Sequence, residues 1–374
     1  MQLIVRHVER KPRSGFLTLA HFTNDKKKEL EKIVIDTGDA LSAIVVGARW
    51  EAVEKLLPSK DVVIITDENV FELYGSEFPP FPVIKVKPGE ESKQLRVVEK
   101  LSKDLVKAGI DRNGFILAIG GGVVCDLAGF VASVYMRGIR VGYISTSLLS
   151  QVDASTGGKN GVNLGKIKNV IGNFRQPEFV ICDTTMLRTL SQDEYLSGLA
   201  ELIKTAVIGD ADLFSILENN YAGILSRDRQ LLSGLIARAI RFKGSVVAED
   251  EKETGLRHIL NFAHTYGHAI ELQASFPHGF AVAAGMEIAT QFSVKKGFIK
   301  SDEAARIIRL LKSYKLIPDY SIPPTVIKRL ITHDKKKSGT DIHFVFTTGI
   351  GTAKTEKVPV SELIEFYRLF ITRK

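Results

Sequence analysis

Arg257, Asn261, His264 and His268 follow one another at steps of four, three and four. On a helix that spacing stacks the side chains along one face. The stripe mixes a guanidinium, an amide and two imidazoles among the apolar residues Leu256, Ile259, Leu260, Phe262 and Ile270. A third histidine, His278, follows in a Pro-His-Gly turn, so three of the chain's eight histidines fall between 264 and 278. A lone helical histidine is usually a surface or core residue, but a pair one turn apart with a third nearby reads as a metal or catalytic site. Neutral imidazoles so spaced can converge on a divalent ion such as zinc. No Glu follows His264, which excludes the helical metalloprotease pattern. The spacing leaves open which two or three histidines bind.

Other segments carry chemistry of a different kind. Gly120-Gly121-Gly122 stands between the strand pattern FILAI and the helix pattern VVCDLAGFVASVY. Backbone N–H groups in such a turn, with the helix N-terminus behind them, form an anion cradle suited to a pyrophosphate. The spacing is not the G-x-G-x-x-G dinucleotide fingerprint. Asp67 ends the strand pattern DVVIIT, where a carboxylate can hold ribose hydroxyls or cap the helix that follows. Residues 152–174 read as a loop that combines Asp153, Lys159, Lys168 and Asn169 with a glycine pair, a composition that reaches an anionic, hydroxylated ligand. In GLAELIK, Glu201 and Lys204 share one helix face at i, i+3, either as a surface ion pair or as part of a half-buried site.

These residues need elements to hold them. From Ser42 onward short β-branched runs (AIVVG, DVVIITD, VIKV, FILAI) alternate with helical patterns, which predicts a parallel sheet with helices on its faces. No proline occurs between Pro177 and Pro277, and apolar residues there recur at helical spacing. The sequence therefore divides into an N-terminal extension (1–40), an α/β domain (41–187) and an all-α domain (188–374).

With 374 residues, 44% hydrophobic and 25% charged, the chain has the composition of a globular protein large enough for two cores. No apolar run is long enough to span a bilayer, and the N-terminus lacks a secretory core. Cys125 and Cys182 are too few for a disulfide framework, which together points to a reduced, cytoplasmic setting. The net charge of +8 is dispersed, without the basic stripe and interleaved aromatics of a nucleic-acid binder. It suits a small polyanionic substrate instead.

Taken in order, GGGVVCDLAGFVASVYMRG, TSLLSQVDASTGGKNGVN, KNVIGNFRQP, GLAELIKTAVIGD and LRHILNFAHTYGHAIE with HG resemble the successive signatures of the 3-dehydroquinate synthases. The likeness runs from about residue 42 to the C-terminus and leaves 1–40 outside. It implies an NAD-binding α/β domain, a helical domain and an active site in the cleft between them. It further implies conversion of 3-deoxy-D-arabino-heptulosonate 7-phosphate to 3-dehydroquinate and phosphate through transient oxidation by NAD. One divalent metal ion, zinc or cobalt, falls on Glu201, His264 and His278.

Catalytic roles fall on His268, Lys159, Lys204, Asn169 and Glu253, and substrate contacts on Asp153, Lys243, Arg257 and Asn261 besides. Lys335 or Lys336 is expected at the phosphate, and Arg137 is expected to reach the neighbouring site of a homodimer. NAD contacts fall on Asp67, Asn69, Glu90, Lys93, Gly121 and Gly122. Others fall on Val123, Asp126, Thr146, Ser147, Leu149, Lys168 and Thr189. The pattern departs from the family at Ala263, where glycine is usual, at Ser145, where proline is usual, and in the 164–167 stretch. Other sugar-phosphate cyclases and a metal-dependent NAD polyol dehydrogenase are the rival readings.

Overall fold

The computed structural model describes residues 30–58, 60–165, 167–334 and 341–373. Lys335, Lys336 and residues 1–29 lie outside them. The N-terminal half alternates as expected. Its elements are β1 (Glu31–Asp36), β2 (Leu41–Val46), β3 (Val62–Asp67), α1 (Glu68–Tyr74), β4 (Val83–Val86) and α2 (Leu95–Lys107). There follow β5 (Phe115–Gly120), α3 (Gly122–Val134), β6 (Arg140–Ser145), β7 (Lys159–Leu164), β8 (Ile167–Phe174) and β9 (Phe179–Cys182).

Seven of the described strands form one sheet in the order β1-β2-β9-β6-β5-β3-β4. All neighbours run parallel except β1 and β2. Every residue of β3 and of β5 is buried, because both faces of these parallel strands are covered, which is why they read as largely apolar runs. β4 lies on one side of β3 and β5 on the other, so the chain reverses direction at β3. Such a switch point opens a crevice at the carboxyl ends of the two strands. Asp67 ends β3 and Gly120 ends β5, which places both expected nucleotide elements at that crevice.

The boundary expected at residue 40 needs correction. β1 pairs with β2 from Glu31↔Val46 to Asp36↔Leu41, so the described end of the 1–40 segment is an edge strand of the sheet. Residues 152–174 are also more regular than a loop. A wide helical turn at Ser150–Ala154 leads into an antiparallel β7–β8 hairpin, with Lys159 opposite Phe174.

The C-terminal half is helical. α4 (Gln192–Gly209), α5 (Ala211–Asn219), α6 (Tyr221–Leu225) and α7 (Arg229–Glu249) precede α8 (His264–Ala274) and α9 (His278–Lys295). α10 (Ser301–Ser313) and α11 (Pro324–Asp334) are followed by a hairpin of β10 (Asp341–Gly349) and β11 (Thr352–Pro359), and α12 (Val360–Arg373) closes the fold. The hairpin is an addition to the helical expectation; its inward residues Phe344 and Phe346 ring-pack with Phe292 of α9. The proposed 187/188 boundary falls between β9 and α4. α4 begins at an N-cap in which the Ser191 hydroxyl accepts from Glu194 N at 3.4 Å. Tyr195 through Ile208 are all buried, as α4 is the central helix against which α9 and α7 pack.

The stripe read as one helix is two pieces. Leu256–Asn261 is a 3₁₀ turn carrying Arg257 and Asn261, and α8 starts at His264. Ala263 separates them with φ +72°, a left-handed conformation that glycine adopts without strain. The departure from glycine noted in the sequence thus falls where the backbone would favour it.

Candidate active site

Glu201, His264 and His278 present one carboxylate oxygen and two imidazole nitrogens within 4.8 Å of one another. Three elements supply them: the middle of α4, the start of α8 and the start of α9. Glu201 Oε1 lies 3.2 Å from His278 Nε2 and 3.7 Å from His264 Nε2. His264 Nδ1 donates to the Phe262 carbonyl at 3.0 Å, which leaves Nε2 unprotonated and aimed at the carboxylate. This donor set fits a divalent cation such as zinc or cobalt with an open position for a ligand.

Electrostatics at the cluster favour the ligating states of Glu201 and His264 but not of His278. Burial opposes the Glu201 carboxylate, but Lys204, His278 and His264 outweigh it and hold its pKa well below the ordinary value. Burial and the Lys204 ammonium lower His264, which keeps it neutral. Burial also opposes the proton on His278, but Glu201 and Glu271 override it and raise that pKa. A cation must therefore compete with a proton for His278.

His268 stands one turn after His264, its ring centroid 5.0 Å from that of His264 and 6.3 Å from that of His278. It lies outside the three-ligand group and lines the adjacent cleft.

Around the cluster the expected substrate contacts form a charged network that is buried at Lys204, Lys243 and Arg257 and exposed at Lys159 and Asn261. Lys204 Nζ is 2.5 Å from Glu201 Oε2, so the pair read as surface or half-buried is fully buried. Lys243 donates to the Asp153 carbonyl at 2.6 Å and ion-pairs with its carboxylate. Lys159 pairs with Glu253, whose other oxygen accepts from Asn261 Nδ2 at 2.6 Å. Arg257 is 2% exposed and donates to the carbonyls of Glu251 and Gly157 at 2.6 and 2.9 Å. Its Nε has no acceptor among the described residues.

The cleft beside this network encloses about 1470 Å³. Every residue expected to contact NAD lines it, from Asp67 and Asn69 through Leu149 to Thr189, and so do Asn169, His268 and His278. Asp67 also caps α1 by accepting from Val70 N at 3.0 Å, so its two readings are compatible. A Cβ on Gly122 would lie 3.1 Å from Ala154 Cβ, so a bare backbone there keeps the floor of the cradle low. Lys93 donates to Asp126 and to Asn169, each at 2.6 Å. The cradle, the crevice and the carboxylate at the end of β3 fit a dinucleotide.

Arg137 does not join this cleft. It lies exposed on the turn after α3 with φ +66°. Two contributors went unread in the sequence. Glu271 Oε2 lies 3.3 Å from His278 Nδ1 while its Oε1 accepts from Lys168 Nζ at 2.7 Å. Its position three after His268 on the same helix face was the available signal. Asp250 accepts from the backbone N–H groups of Thr254, Gly255 and Arg257 at 2.8–3.0 Å; nothing in local spacing announced that turn.

Residues 83–197 match the family described as 3-dehydroquinate synthase N-terminal, and 198–337 match 3-dehydroquinate synthase C-terminal. A 3-dehydroquinate synthase of a Thermoanaerobacter species is 41% identical over 329 residues, 84% of this chain and 92% of that protein. The solved 2-deoxy-scyllo-inosose synthase in complex with carbaglucose-6-phosphate, NAD+ and Co2+ superposes with a TM-score of 0.82 at 25% identity. It covers 91% of this chain and all of its own. The 2-epi-5-epi-valiolone synthase of Streptomyces hygroscopicus, with NAD+ and Zn2+ bound, gives 0.81 at 25% identity over 88% of this chain and 97% of its own. With both halves matched and identity near two-fifths over most of its length, the chain belongs to the 3-dehydroquinate synthase family.

Proposed function

We propose that the chain is a 3-dehydroquinate synthase, a carbon–oxygen lyase that converts 3-deoxy-D-arabino-heptulosonate 7-phosphate to 3-dehydroquinate and phosphate with NAD and one divalent metal ion. The observation that carries this reading is the convergence of Glu201, His264 and His278, the last of which lines the same cleft as Asp67 and the Gly121–Gly122 cradle. When bound, the metal would supply a Lewis acid for the substrate's C5 oxygen, and NAD would accept and return the hydride at that carbon.

The chain's own residues bind, orient and move protons. Lys204 remains an ammonium, because Glu201 and Asp153 outweigh the effect of burial, and Lys204 with Arg257 suits the anionic carboxylate end of the substrate. The Nε of buried Arg257, without an acceptor among the described residues, supports that assignment. Lys243 and Asp153 hold each other in place, and Asn261, Glu253 and Lys159 present a polar face to hydroxyls. His268, outside the ligand set yet in the cleft, is in this reading the proton relay. Lys335 or Lys336 completes the phosphate end in this reading, and Arg137 reaches it from a second subunit of a homodimer. A cytoplasmic location belongs to the same reading.

Incubating the protein with the heptulosonate phosphate, NAD and zinc or cobalt tests the proposal. Stoichiometric phosphate and 3-dehydroquinate should appear with no net change in nicotinamide absorbance. Net accumulation of reduced cofactor would instead mark a polyol dehydrogenase, and turnover only of a substrate lacking the carboxylate would mark another cyclase.

A further inference from the structure

Lys168, Glu271 and His278 form a continuous polar chain between two sites that the fold keeps on different elements. Lys168 belongs to β8 of the N-terminal half, Glu271 to α8 and His278 to the first position of α9. One Glu271 oxygen lies 2.7 Å from Lys168 Nζ and the other 3.3 Å from His278 Nδ1. All three residues line the cleft. Glu271 is only 13% exposed at its side chain, whereas Lys168 is 41% exposed and able to turn toward an anion in the cleft.

The geometry points to a relay in which nucleotide occupancy of the cleft sets the affinity of the metal centre through Glu271. A carboxylate on the far nitrogen of a ligating histidine fixes its tautomer and raises its donor strength. While Lys168 holds Glu271, part of that carboxylate's charge is neutralised by the ammonium. A pyrophosphate that draws Lys168 away frees Glu271 to accept fully from His278 Nδ1–H, which strengthens Nε2 as a ligand. Linkage makes the effect reciprocal, so a bound cation favours nucleotide by the same factor. The relay rests on Glu201, His264 and His278 being the metal ligands and on Lys168 facing the nucleotide.

The test is a titration of metal-free protein with Co2+, followed by visible absorbance, with and without NAD at a saturation checked by equilibrium dialysis. Wild type should bind Co2+ about fivefold more tightly with NAD, the low end of site–site coupling because Lys168 is partly solvated. Without NAD, Lys168→Gln should already bind Co2+ more tightly than wild type, and NAD should add little. Glu271→Gln should bind Co2+ roughly 10- to 100-fold more weakly and show no response to NAD. Wild-type Co2+ affinity that ignores NAD, or a Glu271→Gln protein that binds Co2+ like wild type, overturns the relay alone. A wild-type chain that binds no Co2+ overturns the metal centre and the relay together.

Discussion

Gly279 N donates to Ser197 Oγ at 2.7 Å, and a Cβ on Gly279 would lie 2.3 Å from the Ser197 carbonyl oxygen. That close approach of α9 to α4 is what brings His278 to Glu201. Gly279→Ala must push the two helices apart, which should cost about 1–3 kcal/mol of stability and weaken cobalt binding by at least about tenfold. Urea unfolding and cobalt titration of the same preparation measure both. A variant with native metal affinity would show that the separation of α4 and α9 does not govern the site.

The ligand set separates two neighbouring histidines. His264→Ala should abolish stoichiometric metal, whereas His268→Ala should retain metal and lose turnover, read by elemental analysis and phosphate release. A metal-free His268 variant would show that the i, i+4 pair, and not the tertiary cluster, holds the ion.

The family resemblance leads to the expectation that Arg137, exposed and away from its own chain's cleft, acts across a dimer. Arg137→Ala should fold, sediment as a dimer and bind substrate poorly. Mixed dimers of Arg137→Ala with Lys159→Ala should regain activity, since one of their two sites is intact. Verified mixed dimers as inactive as either parent would place Arg137 within its own chain.

Ala263 occupies a left-handed conformation that costs an alanine about 1–2 kcal/mol. Glycine relieves this but gives up about 0.4–1 kcal/mol through the freer unfolded chain. Ala263→Gly should therefore stabilise by about 0.5–1 kcal/mol, seen as a higher urea midpoint at unchanged slope. A lower midpoint would mean that packing of the Ala263 methyl outweighs the backbone strain.

Asp250 ties down the turn that carries Glu253 and Arg257. Burial works against its carboxylate, but the backbone N–H groups of Thr254, Arg257 and Gly255 prevail and lower its pKa. A depressed folded pKa contributes stability that is complete above the unfolded value of about 3.9 and fades as pH falls through the folded one. Asp250→Asn should thus lower the urea midpoint by a constant amount at neutral pH, and the gap to wild type should narrow below about pH 4. A gap that persists unchanged into acid would show that the carboxylate's charge contributes nothing.

Much of this protein was legible in its sequence because the signals are local. Strand runs such as DVVIITD and FILAI and the glycine turn after β5 each depend on a few adjacent residues. The family motifs named Glu201, His264 and His278 together, although spacing alone could not choose among the histidines. Other features were decided only in three dimensions. The left-handed Ala263 splits what reads as one helical stripe, since apolar periodicity does not report a single φ angle. Asp153 and Lys243 meet across ninety residues, as do Lys168 and Glu271 across 103. Partners so distant leave no mark on local periodicity. The strand Glu31–Asp36 looked like an appendage because its sequence is charged and it has one neighbour, as an edge strand must be. Local sequence determined which elements form and which side chains they offer. The packing of α9 on α4, set by the bare backbone of Gly279, determined which of those side chains share a site.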